Sequence, residues 1–252
     1  MIKFFRKIRQ KLLTENKFSK YLIYAIGEIV LVVIGILIAL SINKWNEKQK
    51  AMRLEKQYLE RLELDLVQDT LYFNRRLKES QEAVEHNYQL VHLMYDEQKN
   101  SQEVSDVLKH VRWNSEHFVV QNSTYLELIN SSLINILSNQ ELKKNIVSHY
   151  YEYDVVGTHI KEINEFSTSL YSEIVHDHVK YRPGTEKFWD QERMYNKIEW
   201  QYLNEPFTEK FRKLESTAAY YNFKHTLFTG YFKDLKVKAT SLIKEIESEL
   251  KK

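Results

Sequence analysis

Twenty-two consecutive residues, Tyr21 to Ile42, contain a single charge, Glu28, and run apolar without interruption from Ile29 to Leu40. At about 1.5 Å per residue a helix of this length reaches about 33 Å, enough for a hydrocarbon core of about 30 Å. The segment is apolar on every face, so it does not have the one-sided pattern of a helix lying on a soluble core. In a bilayer only a helix or a closed barrel satisfies its own backbone polar groups, and one isolated segment leaves the helix. The sequence therefore predicts a transmembrane helix over 21–42, with the lipid bilayer as the first partner. Tyr21 and Tyr24 at one end and Trp45 at the other fit the aromatic belts of a membrane interface as anchors.

Residues 1–20 carry seven basic side chains against Glu15. Ile2, Phe5, Ile8 and Leu12 recur at helical spacing among them, the pattern of a basic amphipathic tail in the headgroup layer. This charge favours a cytoplasmic N-terminus, although Lys44, Lys48, Lys50, Arg53 and Lys56 beyond the span make the bias modest. The rival reading is a cleaved signal peptide, since Ala39-Leu40-Ser41 has a small-x-small form. The length of the basic and apolar parts and the position of Glu28 argue against it. The expected organisation is a tail over 1–20, a span over 21–42 and an extracytoplasmic domain over 43–252.

That domain reads as all-α. No Gly or Pro lies between Gly35 and Gly157, a run that a sheet protein with many tight turns would not sustain. The absence of cysteine excludes disulfides, thiol catalysis and thiolate metal sites. Thirty of the 37 basic and 33 of the 35 acidic residues fall in 43–252, so that part is slightly acidic with no basic cluster, and nucleic acid is not an expected partner.

Leu59, Leu62, Leu66, Phe73, Leu77, Val84, Tyr88, Val91 and Tyr95 follow steps of three, four and seven, which predicts one helix from the span to about Gln98 with a coiled-coil or stalk-like portion. Asn100 with Glu103 predicts a capped second helix through Val104, Val107, Leu108 and Val111. Thr124 with Glu127 predicts a capping box for a third. A further helix is expected from about Asn139 to Lys180, passing through Gly157, with a turn at 181–185. Pro206 is expected at or just inside a helix start, that helix running to Phe228 and stopping at Gly230. Leu235, Leu242, Ile246 and Leu250 form the stripe of a last one. The fold expected is an antiparallel helical bundle built back onto the long first helix.

The stretch Tyr24-Ala25-Ile26-Gly27-Glu28-Ile29-Val30-Leu31-Val32-Val33-Ile34-Gly35-Ile36-Leu37-Ile38-Ala39-Leu40, following a basic Met-Ile-Lys-Phe-Phe-Arg-Lys-Ile-Arg start, resembles the opening of an uncharacterised family of small single-span membrane proteins from Bacteroidota. A looser match runs from Thr124-Tyr125-Leu126-Glu127-Leu128 through Asn139-Gln140-Glu141-Leu142 to Tyr150-Tyr151. The family pattern places a glycine near Ser132, which this chain lacks. The resemblance implies a Gram-negative inner-membrane protein with its domain in the periplasm, and it implies no activity.

Motifs that carry chemistry are scarce. Glu173-x-x-His176 has the spacing of a di-iron pair, but such sites take two copies and two further carboxylates, and one copy is present. His176-Asp177-His178 reads as a polar patch, and His110 and His117 flank Trp113 without ligand spacing. No nucleophile elbow, phosphate loop or dinucleotide fingerprint occurs, so neither an enzyme nor a cofactor is expected. Tyr150, Tyr151, Tyr220 and Tyr221 read as packing. Glu28 stands apart, because a carboxylate inside a span costs up to about 2.5–3.5 kcal/mol at the centre and marks a partner contact or proton site, unless it reaches the headgroups. Gly27, Gly35 and Ala39 supply small residues against which another span can pack. The expected function is a membrane-anchored structural or interaction protein of the cell envelope, a homo-oligomer or the partner of another envelope protein. The alternative is a subunit of an energy-coupled or sensory complex that uses Glu28.

Overall fold

The computed structural model describes residues 18–99, 101–178 and 202–252. The described residues are helical and contain no strand. Among the described residues five α-helices follow in order: α1 (Phe18–Met94), α2 (Ser101–His110), α3 (Ser123–Asn130), α4 (Gln140–His178) and α5 (Glu209–Leu250), with a 3-10 turn at Leu133–Ile136 between α3 and α4. The chain divides into two units, Met1–Gln57 and Tyr58–Lys252. In the first, the described residues are the opening of α1, including the apolar segment. The second holds the remainder of α1 and every other element.

In the second unit, after Tyr58, the buried positions of α1 are 59, 62, 66, 69, 73, 76, 80, 83, 87, 90 and 94, alternating steps of three and four without a slip. On α5 the same alternation runs through 211, 214, 218, 221, 225, 228, 232, 235, 239, 242 and 246. Such spacing keeps one seam of a helix against its neighbours over many turns. α5 runs antiparallel to α1, as Tyr95 bonds Glu215, Asn222 Nδ2 bonds the Val84 carbonyl at 2.9 Å and Lys236 bonds Asn74 at 2.7 Å. It is also antiparallel to α4, where Asn145 meets Glu245 at 2.8 Å and Asn139 meets Glu249 at 2.6 Å. The antiparallel bundle is as expected, but a segment without helix also packs against it. From Val111 to Gln121 the chain has neither helix nor strand, a strap lying along the three long helices back from the Met94 end of α1 towards its Tyr58 end.

Several local expectations need correction. α5 does not stop at Gly230 but passes through it, since a core seam repeated on both sides outweighs the roughly 1 kcal/mol that one glycine costs a helix. Pro206 lies in the turn before α5, and the N-cap is Thr208, whose hydroxyl accepts from the Phe211 N–H at 3.3 Å. Thr124 does not cap α3. It is a buried residue inside that helix, the N-cap is Asn122, and the Glu127 carboxylate turns instead to Tyr58 and Arg61, each at 2.6 Å. Asn139 does cap α4, accepting from the Leu142 N–H at 3.1 Å. Ser132 sits in the left-handed region at φ 59°, a conformation open chiefly to glycine. Asn100 and the turn at 181–185 lie outside the described residues.

Candidate functional site

In the first unit the apolar part of α1 stands uncovered. Its most apolar window of eighteen residues has a mean hydropathy of 2.8, and none of it is buried. Ile29, Leu31 and Ile42 are 59–68% exposed, and Trp45 is 65% exposed. A Cβ added to Gly27 or Gly35 would meet nothing within 4 Å, so no described element packs on the small-residue face that also carries the exposed Ala39. Glu28 lies half-buried on the same helix. Tyr21 and Tyr24 fall within α1, their side chains outside the described set. By length and composition this helix is able to cross a membrane.

In the second unit the seam of buried positions is interrupted by polar residues: Asp69, Arg76, Ser80 and Asn87 on α1, His149, Asn164 and Ser167 on α4, and Thr217, Lys224 and His225 on α5. The strap explains several of them. A segment in neither helix nor sheet has no ladder to receive its backbone groups, and buried ones must find other partners. The helices supply them. Asp69 accepts from the Gln121 N–H at 2.7 Å, and Tyr72 Oη accepts from the Val119 N–H at 3.3 Å. Asn164 Nδ2 donates to the Glu116 carbonyl at 2.9 Å, and Tyr221 donates to the Trp113 carbonyl at 2.8 Å. Its aromatic side chains are seated too. Trp113 stacks on Tyr171 at 5.5 Å and meets Tyr221 edge-on at 5.1 Å, while Phe118 stacks with Phe73 at 6.2 Å.

Midway along the strap charge is concentrated. Arg76, 5% exposed, donates to Glu79 at 2.8 Å and pairs with Glu116, while Arg112 stands 3.6 Å from Glu79. Lys224, 1% exposed, pairs with no carboxylate among the described residues. Its ammonium donates to Ser115 Oγ at 3.1 Å and Ser167 Oγ at 3.0 Å, over the face of Tyr221 at 4.7 Å. Burial, with the Arg76 cation beside it, lowers Lys224 to about 8, against a smaller opposing effect of Glu116. Burial and then the Lys224 cation push His225 down to about 3, and burial pushes His149 down to about 4, so both imidazoles are neutral at pH 7. Burial raises Asp69 to about 6, although the Gln121 N–H works the other way.

Two grooves flank the strap. One, of about 790 Å³, lies over α4 between Phe118, Tyr153, Gly157, Ile160 and Thr168, and the other, of about 580 Å³, lies over α1 beside Gln68, Asp69, Tyr72 and Arg75. Ser115, His117 and Val119 border both. Gly157 makes room for the strap, because a Cβ there would lie 3.0 Å from Phe118 Cδ1.

Of the metal candidates, Glu173 stands 3.6 Å from Lys213, and His176, Asp177 and His178 have side chains outside the described set. Among the described residues no three His, Asp or Glu side chains gather as a metal would need. His110 lies against His86, ring centroids 5.6 Å apart, while His117 is on the strap. Tyr150 and Tyr221 are buried in the bundle, Tyr151 faces out and Tyr220 is half-buried against Phe166. The polar seam was invisible to hydrophobic periodicity, whose signal is apolar side chains alone.

No curated protein and no solved structure matches the chain. One family does, from Glu28 in the apolar part of α1 to Ile174 near the end of α4, more than half of the length, so most of the apolar segment and the whole strap lie within it. The chain belongs to a family of unknown function, DUF6090.

Proposed function

We propose that the protein is anchored in a membrane by the apolar part of α1 and presents the helical unit 58–252 on the far side as an interaction module of the cell envelope. The observation that carries this reading is the wholly unburied apolar window, mean hydropathy 2.8, in a helix where no described element covers it. Soluble monomers rarely expose continuous apolar patches of more than a few hundred Å², because each Å² in water costs about 25 cal/mol. A bilayer removes that cost. The seven basic residues in 1–20 favour an N-terminus in the cytoplasm, which in a Gram-negative inner membrane puts the helical unit in the periplasm. The partner is a second copy or another envelope protein, and the uncovered Gly27, Gly35 and Ala39 allow close approach of its span.

Reporter fusions test the orientation. A reporter active only in the periplasm is expected to work when joined after Lys252 and to fail when joined before Met1. Activity at the N-terminal junction alone would reverse the orientation, and release of the C-terminal fusion into the soluble periplasm would identify the apolar segment as a cleaved leader.

A further inference from the structure

Ser115, Ser167 and Lys224 stand together although they are far apart in the chain, which no sequence motif would reveal. Two hydroxyls meet the lysine, those of Ser115 and Ser167, and a third, Thr168, stands beside Ser115; the three are not equivalent. Ser167 and Thr168 each direct their hydroxyl to the Asn164 carbonyl, at 3.0 and 2.8 Å. Ser115 Oγ is 3.5 Å from that carbonyl, 3.4 Å from Ser167 Oγ and 3.2 Å from Thr168 Oγ1. Its shortest contact is Lys224 Nζ at 3.1 Å. Ser115 is also the one of the three on the strap, half-exposed and bordering both grooves. Lys224 lies behind it, closed off from solvent.

We propose that Ser115 is a nucleophile that accepts an acyl group from a carboxylic ester bound in the groove over α4, with Lys224 as its general base. A serine hydroxyl is a weak nucleophile until a neighbouring base takes its proton, and a lysine performs this only when neutral. The surroundings favour the neutral amine. Lys224 is buried, Arg76 on α1 and Arg112 on the strap line the same interior pocket, and His225 beside it is uncharged, while Glu79 and Glu116 are already engaged by the arginines. The step balances without a further reagent. Ser115 Oγ bonds to the ester carbonyl carbon as its proton passes to Lys224 Nζ, and the carbon–alkoxide bond breaks as the ammonium returns that proton to the departing alcohol. Water then attacks the acyl-serine with the same base, releasing the carboxylic acid and restoring both side chains. This inference goes beyond the anchoring reading and stands independently of whether α1 enters a bilayer.

The test uses the full chain in detergent and a fluorophosphonate, which phosphonylates an activated serine with loss of fluoride. Mass spectrometry is expected to find the adduct on Ser115, forming at a rate that rises through a midpoint near pH 8 as Lys224 loses its proton. Ser115→Ala should abolish the adduct, and Lys224→Met, similar in length and uncharged, should slow it at least tenfold. An adduct absent from Ser115 between pH 7 and 9.5 would overturn the proposal, as would equal labelling of a folded Lys224→Met variant. Should that variant fail to fold, the wild-type pH profile decides: a flat rate across pH 8 removes Lys224 as the base, and with it the proposal.

Discussion

Gly157 and Gly230 lie inside long helices, yet the two positions are built for opposite reasons. At Gly157 the missing Cβ is space that Phe118 of the strap occupies, and at Gly230 a Cβ would meet nothing within 4 Å. Gly230→Ala should stabilise the protein by about 1 kcal/mol, the helix propensity it recovers. Gly157→Leu recovers a similar propensity but drives Phe118 out of its seat, and overpacking of this kind costs about 1–3 kcal/mol. The expected outcome is a lower urea midpoint, with faster amide exchange across 111–122 than elsewhere. Unchanged exchange in the strap would show that Phe118 does not hold it down. A lone glycine signals a break only where the flanking core pattern ends, so Gly157 is rightly helical by its pattern while Gly230, expected as a stop, continues α5. Ser132 shows the converse: a serine holds a left-handed backbone at φ 59°, and nothing in the residue itself announces it.

Among the elements, the long helices were legible and the strap was not. Leu59, Leu62, Leu66 and Phe73 announce the seam of α1, but its continuation passes through Asp69, Arg76, Ser80 and Asn87. A search for apolar periodicity follows Leu77, Val84 and Tyr88 instead, and of these Tyr88 is 55% exposed. The polar seam exists because the strap brings backbone groups and charges into the bundle, so neither feature can be read without the other. It leaves a signature in the response to acid. His149 and His225 are neutral in the folded chain down to about pH 4 and 3, whereas the unfolded chain protonates them from 6.5 downwards. Stability is therefore lost as the pH falls below 6.5. Asp69 acts in the opposite sense, because the folded chain protonates it near 6 and the unfolded chain near 3.8, so acidification through that window restores stability. Two imidazoles outweigh one carboxyl. The urea midpoint should fall between pH 7 and pH 5, and a His149→Gln, His225→Gln double variant should show a smaller fall. A fall of the same size in that variant would place the acid sensitivity elsewhere.

For the molecule as a whole, the two units bury their apolar side chains in different ways. Residues 58–252 enclose a core that runs the length of the three helices, with Leu62, Leu66, Phe73 and Leu90 shielded from water. The preceding part of α1 encloses nothing, although it is the most apolar stretch of the chain. The family match begins within that stretch and carries through to α4. Anchoring reconciles an uncovered apolar helix with a well-packed unit in one chain, and it is the claim on which the proposed interaction role depends. Extraction of membranes at high pH, where peripheral proteins are released and spanning ones retained, tests it most directly. The account predicts that the full chain stays in the pellet at alkaline pH and enters solution only with detergent, whereas its recovery in the alkaline supernatant as a folded protein would contradict membrane anchoring outright.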